Sequence, residues 1–394
     1  MNIVFLLIVA TLCVIHLAYC ILIIYIIYIN IQNPVSTTLP NPPQIMVSVL
    51  IIARNEAHNL HQLFANLIAQ NYTTKNIEII VVDDNSTDET LDIAKSYANQ
   101  LTIHCIELKN YTNITSNYKK QAQALAVGHC TNDFVICIDA DVQLTPNFIA
   151  AHVQHYTSNN HYFQYGLVTF NSNTTNLIQR IDYNENLALQ ALTRGAALSN
   201  NHLLCNGANM AFSKQAYTTL QVQSNSTTNA SGDDVLLLQK FINAGYAVSY
   251  VNTTHAQVQH PTTTFLMHYL QQRARWFSKH ASYTNTKLKY VMYCIGLQNI
   301  VQPLVQMSIL MMCCILTFNL LTIYYLVMLL VITVLTKLII DSALVHKFEQ
   351  TTTSTITKLT LSFIWAAVVY PWYVWAVVLY TKFTPLRWKD RLIS

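Results

Sequence analysis

Residues 133–141 read DFVICIDAD, and the fold turns on how they are read. An apolar run from Phe134 to Ile138 ends in two carboxylates, two positions apart, in a chain with only 10% charged residues. A short continuous apolar run closed by polar residues is the pattern of a strand buried on both faces. In an extended chain, residues two apart point to the same side, so Asp139 and Asp141 converge at the strand's end. Such a pair of hard oxygen donors suits Mg2+ or Mn2+, and its chemical use is to neutralise a diphosphate leaving group. A calcium-stabilised or simply solvated loop would account for the same residues without chemistry.

Outward from this stretch, similar runs recur: VSVLIIA (47–53), IEIIVVD (77–83) and LTIHCIEL (101–108). Helix-like segments lie between them at 56–70, 88–99 and 119–130. This βαβα alternation predicts a mostly parallel sheet with helices on both faces. In such sheets ligands bind beyond the carboxyl ends of the strands. The polar clusters lie at those ends, as ARNEAHN (53–59) and VVDDNSTDET (81–90). Asp84, with Asp83, either binds the base or ribose of a nucleotide or caps the helix that follows. In SGDDVLLLQKFINAGY (231–246), Asp233 and Asp234 precede an amphipathic pattern. They read as helix caps, or as a general base for an acceptor hydroxyl. In YLQQRARWFSKH (269–280), Arg273 and Arg275 suit phosphate oxygens and Trp276 suits stacking. An aromatic-and-basic belt at a membrane surface is the plainer account.

The chain has 394 residues, 52% of them hydrophobic, with a mean hydropathy of +0.29. That is too apolar for an ordinary soluble protein. Residues 3–29 carry no charge and exceed the roughly 20 residues a bilayer core needs. No basic segment precedes this run and no small-residue cleavage site follows it, which excludes a signal peptide. Residues 31–46 contain four prolines and read as a linker. Residues 290–340 hold two further apolar helices turning near Phe318-Asn319, and 359–381 another, with a polar loop at 347–358. Lys337 and Asp341 lie near a helix end, where snorkelling would accommodate them. The resulting division is a membrane helix at 1–30, a linker at 31–46, a catalytic domain at 47–285, about three membrane helices at 286–381 and a basic tail at 382–394. The net charge of +4 without a basic stripe excludes a nucleic-acid partner. Nine cysteines without a C-x-x-C pair exclude a disulfide framework or zinc site.

Taken in order, these stretches resemble the membrane-bound family 2 inverting glycosyltransferases with a GT-A domain. That branch includes cellulose and hyaluronan synthases and ceramide glucosyltransferase. The matching stretches are IIARNE (51–56), VVDDNSTD (81–88), KKQAQALAVG (119–128), DAD (139–141), CNGANMAFSK (205–214), GDD (232–234) and QRARW (272–276). The resemblance implies that Asp84 contacts the nucleoside, with Ala53, Asn55 and Glu56 nearby. It implies that Lys120 and Asp139 face the nucleotide-sugar, and that Asp139 and Asp141 hold Mg2+ or Mn2+. Asp234 matches the general base, beside Asp233 where the family often carries a glutamate. Gln272, Arg275 and Trp276 match the Q-x-x-R-W motif at the acceptor end and the diphosphate, with Asn206 and Asn209 lining the acceptor pocket.

The implied reaction moves a sugar, with inversion, from a nucleoside diphosphate sugar, a uridine nucleotide by resemblance. The acceptor is a lipid or lipid-linked glycan, because about four helices are fewer than a polysaccharide channel needs. Synthase partner proteins remain compatible with that count. A catalytically dead subunit of a synthase complex, a transporter with a large loop and a soluble nucleotidyltransferase are the rivals. The intact acidic set argues against the first and the absence of buried charge patterns against the second. A chain with 7 glycines and no glycine-rich phosphate loop argues against the third. The implied location is the cell membrane, multi-pass, with the catalytic domain cytoplasmic. Counting three crossings after the domain puts 382–391 on the opposite face, against the positive-inside tendency.

Overall fold

The computed structural model describes residues 3–111, 118–158, 161–170, 176–223, 233–315, 320–352, 361–388 and 391–392. Helix α1 (Ile3–Gln32) leads into strand β1 (Val47–Ala53), followed by α2 (Ala57–Ile68), β2 (Ile77–Asp83), α3 (Thr90–Ser96), β3 (Thr102–Glu107), α4 (Tyr118–His129) and β4 (Phe134–Asp139). β1 and β2 have the bounds expected from their apolar runs, and β2 is buried throughout. Helix α2 buries Leu60, Leu63, Phe64 and Leu67, a single stripe at helical spacing.

The chain continues with β5 (Gln143–Leu144), α5 (Phe148–Ser158), β6 (Phe163–Gly166), β7 (Val168–Phe170), α6 (Leu177–Leu198), β8 (Met210–Ser213), α7 (Lys214–Gln223), α8 (Asp233–Asn243), β9 (Val248–Val251), β10 (Val258–His260) and α9 (Leu266–Ser278). The main sheet has seven strands in the order β3-β2-β1-β4-β8-β6-β9. β3, β2, β1 and β4 are mutually parallel, while β8 is antiparallel to both its neighbours. The order runs outward from β1 to β3 and then returns to β4 on β1's other side. That reversal is a topological switch point, where the carboxyl ends leave a crevice. The register Ala53↔Asp83 and Ile52↔Asp139 sets those three chain ends along one rim. A second sheet, β5-β10-β7, stands beside it.

Three long helices follow: α10 (Thr286–Ile315), α11 (Leu320–Thr352) and α12 (Leu361–Phe383), then a short ladder of β11 (Arg387–Trp388) and β12 (Arg391–Leu392). Among the described residues, Val9–Gln32 and Ile323–Thr352 are long and apolar enough to cross a membrane, with mean hydropathies of 2.6 and 2.4. The expected turn near Phe318-Asn319 lies outside the described residues. The expected polar loop at 347–358 is helical as far as Thr352, and 353–360 lies outside the described residues.

One apolar core runs from the sheet into the domain-side parts of α1 and α11, through Tyr19, Ile23, Ile26, Leu344, Val345 and Phe348. Buried Arg194 on α6 fastens this junction. Its Nη1 donates to Asn30 Oδ1 at 2.6 Å, its Nε to Asn252 Oδ1 at 2.9 Å and its Nη2 to the carbonyl of Asn33. Segment 33–46 lies along the domain, with Ser36 paired to Asn252 and Thr254 through backbone hydrogen bonds of 3.0 and 2.9 Å.

One expectation for the helices is corrected. Lys337 does not snorkel: it is buried, its Nζ lies 2.5 Å from Asp341, and Tyr19 donates to the same carboxylate at 2.6 Å. Inside an apolar bundle a charge needs such a partner. The tail, whose side the helix count left in conflict with the positive-inside tendency, lies against the domain. α12 packs on α9 and α6. Its Tyr370 donates to Glu185 at 3.3 Å, Tyr373 stacks on Tyr269 at 5.0 Å, and Tyr380 meets Met267 Sδ at 3.5 Å. The chain then returns to the domain, where Arg391 Nη1 lies 2.7 Å from Asp84 Oδ1.

Candidate functional site

Asp139 closes β4, and Asp141 stands in the turn that leads directly into β5. β10 pairs antiparallel with β5, Gln259 opposite Gln143. One further step along that ladder brings His260 beside Asp141, with Nε2 3.4 Å from Asp141 Oδ2. Asp139, Asp141 and His260 each offer a ligand atom within 4.8 Å of the others. Two carboxylates and an imidazole form a donor set that fits a divalent cation. His260 had no local signal in the sequence, because the second sheet, and not chain spacing, supplies it.

Lys119, near the start of α4, places Nζ 3.2 Å from Asp139 Oδ1. Burial opposes the charged form of Asp139, but Lys119, His260 and Arg275 outweigh it and hold this carboxyl below its usual range. The lysine that reaches the acidic pair is therefore Lys119. Lys120, expected in this role, is the next residue on the helix and so points about 100° away.

Asp234 lies in the first turn of α8 and accepts from the backbone N–H of Gly207 at 3.1 Å. A Cβ built on Gly207 would stand at ordinary contact distance, 3.7 Å, from both Asp234 Cβ and Lys119 Nζ, so these two side chains approach the same point. The side chain of Asp233 lies outside the described residues. Burial lowers the pKa of Arg275, against the charges of Asp139 and Asp234, which places the guanidinium within the electrostatic reach of both.

Arg273 has a different fate from the one its motif suggested. It is buried, 2.6 Å from Asp182 and 2.7 Å from Glu185, between the rings of Tyr269 and Trp276 at 4.5 and 4.4 Å. It also donates to Gln272 Oε1 at 2.5 Å. Its donors are committed inside the fold, so it is not a phosphate ligand. Arg275, two residues on, faces about 200° away.

Asp84 is fully buried, and burial raises its pKa while Arg391 and Arg54 oppose the rise. Its amide donates to the Ala53 carbonyl at 2.8 Å, and Arg54 Nη1 donates to its own carbonyl at 2.7 Å. Its Oδ2 is buried with no hydrogen-bond partner. Asn55, in the left-handed region at φ 51°, accepts from Thr87 N at 2.8 Å. The Glu56 amide donates to Thr90 Oγ1 at 2.8 Å, and its carboxylate accepts from Asn59 at 2.7 Å. Ala53, Asn55 and Glu56 therefore knit the β1–α2 loop to the β2–α3 loop and shape the crevice floor beneath Asp84.

Asn206 holds its own turn, accepting from Ala208 N at 3.0 Å. Asn209 does not line a pocket. It is fully buried, accepts from His152 at 2.9 Å and donates to the carbonyls of Leu167 and Ala256 at 2.8 Å each. Burial pushes the His152 pKa down to about 3; the neutral ring then donates from Nε2 to Asn209. That amide is committed to holding β8 against the second sheet.

Residues 48–220 match the family model described as glycosyl transferase family 2. Among curated proteins, the chain is 32% identical over 118 residues to the putative glycosyltransferase EpsE of Bacillus subtilis, covering 29% of this chain and 40% of that one. It is 31% identical over 94 residues to the poly(ribitol-phosphate) beta-N-acetylglucosaminyltransferase TarS of Staphylococcus aureus, covering 24% of this chain and 16% of that one. The matches thus span well under half the length of these relatives. Among solved structures, the mannosyltransferase PcManGT of Pyrobaculum calidifontis, in complex with GDP-Man and Mn2+, shares the fold. The TM-score is 0.57 at 17% identity, covering 93% of this chain and 98% of that one. The architecture is that of a GT-A sheet with its helices.

Proposed function

We propose that the chain is a family 2 glycosyltransferase that moves a sugar from a nucleoside diphosphate sugar to a lipid or lipid-linked glycan acceptor at a membrane, with inversion. The observation that carries this reading is the convergence of Asp139, Asp141, His260, Lys119, Arg275 and Asp234 at the carboxyl edge of one sheet. A non-catalytic subunit needs no such set. The family match supports the transfer chemistry, and the acceptor class draws support from relatives. One of them is named as an undecaprenyl-phosphate 4-deoxy-4-formamido-L-arabinose transferase, 30% identical over 105 residues. A uridine nucleotide rests on the earlier resemblance alone.

Asp139, Asp141 and His260 would hold the cation, which when bound supplies charge neutralisation at the diphosphate. Lys119 and Arg275 bind the diphosphate oxygens and favour their departure as charge develops. Lys119 takes the role first given to Lys120. Asp84 accepts hydrogen bonds from the nucleoside. Asp234 removes the proton of the acceptor hydroxyl, which attacks the anomeric carbon opposite the leaving group, so one displacement inverts the configuration. Gln272 and Trp276 edge the acceptor side, and Asn206 closes the loop beneath it. The domain occupies 47–285, with α1 and the three helices of 286–381 at the membrane, α12 re-entrant or interfacial among them, and the catalytic face cytoplasmic, where nucleotide sugars are made. Synthase partners are compatible with this arrangement.

The test is nucleotide release by purified membranes supplied with UDP-glucose, UDP-N-acetylglucosamine, UDP-galactose or GDP-mannose, Mn2+ or Mg2+, and total lipid extract. Release with one donor is expected, with label in the lipid phase and at least about 100-fold loss in Asp139→Ala. Unchanged release in a folded Asp139→Ala protein would overturn the reading.

A further inference from the structure

The last described residues of the chain lie on the crevice and not on the membrane helices they follow. Arg391 places Nη1 2.7 Å from Asp84 Oδ1 and Nη2 3.4 Å from the Asp84 carbonyl. The arginine stands in a two-stranded ladder, Arg387 opposite Leu392 and Trp388 opposite Arg391. It lies eight positions beyond the end of α12 at Phe383, a reach of about 28 Å at most. The packing of α12 on α6 and α9 therefore delivers the tail to this site.

With Arg391 seated, Asp84 has no exposed surface, and its Oδ2 is buried without a partner. A buried carboxylate oxygen left unpaired is costly, and its natural complement is an N–H or O–H donor. A nucleoside carries both, but neither oxygen of Asp84 can be reached until the guanidinium leaves. Arg391 itself is 21% exposed, so it can leave toward water without dismantling the core.

We infer that the C-terminal segment is a strap across the donor site, seated by Arg391 on Asp84 in the empty protein and displaced when a nucleoside diphosphate binds. This rests on the donor-site reading of Asp84. Strap and nucleoside compete for one carboxylate, so apparent nucleotide affinity falls by the fraction of molecules whose strap is open.

The experiment uses the full chain in lipid nanodiscs, with UDP and GDP as probes in the presence of Mn2+. Arg391→Ala should bind its preferred nucleotide about tenfold more tightly than the wild type, the value for a strap closed about 90% of the time. Arg391→Lys, which keeps the charge but loses the fork, should fall between them. In the wild type, nucleotide should speed amide hydrogen exchange across residues 384–392. If the wild type binds nucleotide and Arg391→Ala binds no better or worse, the strap inference fails while the donor-site reading stands. If neither protein binds either nucleotide, the donor-site reading fails and the strap with it.

Discussion

Asp234 and Asp84 are both second in an Asp-Asp pair, yet their surroundings assign them different work. Asp84 is sealed beneath an arginine, whereas Asp234 is half-buried and, among the described residues, accepts only from backbone N–H groups, of Gly207 at 3.1 Å and Val235 at 2.9 Å. A general base needs that partial freedom, because it must accept a proton during the reaction. Replacing Asp234 with Asn removes the proposed base at nearly constant shape and keeps an acceptor for one of its two backbone donors, Gly207 or Val235. Turnover should fall by about 10²–10⁴, while donor KM stays within about threefold, since a base acts in the transition state and not in donor binding. Equal losses in kcat and in donor binding would reassign Asp234 to the donor.

At the scale of an element, α9 combines anchoring and chemistry on opposite faces. Arg273 faces inward to Asp182 and Glu185, and Arg275 feels the charges of Asp139 and Asp234. Arg273→Ala leaves two carboxylates in the interior without their countercharge, so it should destabilise the fold by about 3–5 kcal/mol, read as a drop in denaturation midpoint. Arg275→Ala should leave that midpoint nearly unchanged and abolish turnover. The reverse pattern would mean that the two faces have been exchanged. Sequence alone could not separate these arginines, because both sit in one motif and only packing tells the faces apart. Asn209 is a similar case: it reads as a loop amide, but its burial is decided by His152 and Ala256, far away in the chain. The strands were legible because a strand buried on both faces must be apolar throughout, and Asp139 and Asp141 because their convergence is local. His260 was invisible, since its place depends on the β5–β10 ladder, and the choice between Lys119 and Lys120 hung on the rotation of α4.

For the whole molecule, the decisive relation is between the membrane helices and the sheet. A count of apolar segments sent the tail across the bilayer, because hydropathy cannot register that α12 is held by tyrosines to Glu185, Tyr269 and Met267. With Arg391 on Asp84, tail and domain share one face. A tag placed behind residue 394 should therefore be protected from protease in the same sealed vesicles that protect the domain, and cut in the vesicles that expose it. Cleavage of the tag while the domain stays protected would contradict this arrangement. The clamp around Arg194 has a related effect. By tying Asn30, Asn33 and Asn252 to α6, it fastens the end of the first helix to the domain. On the membrane placement proposed above, the sheet would ride at a set altitude above the lipid, and the site would work as a ruler. An acceptor rooted in the bilayer would then react only if its own stalk were long enough to lift its hydroxyl to that mark.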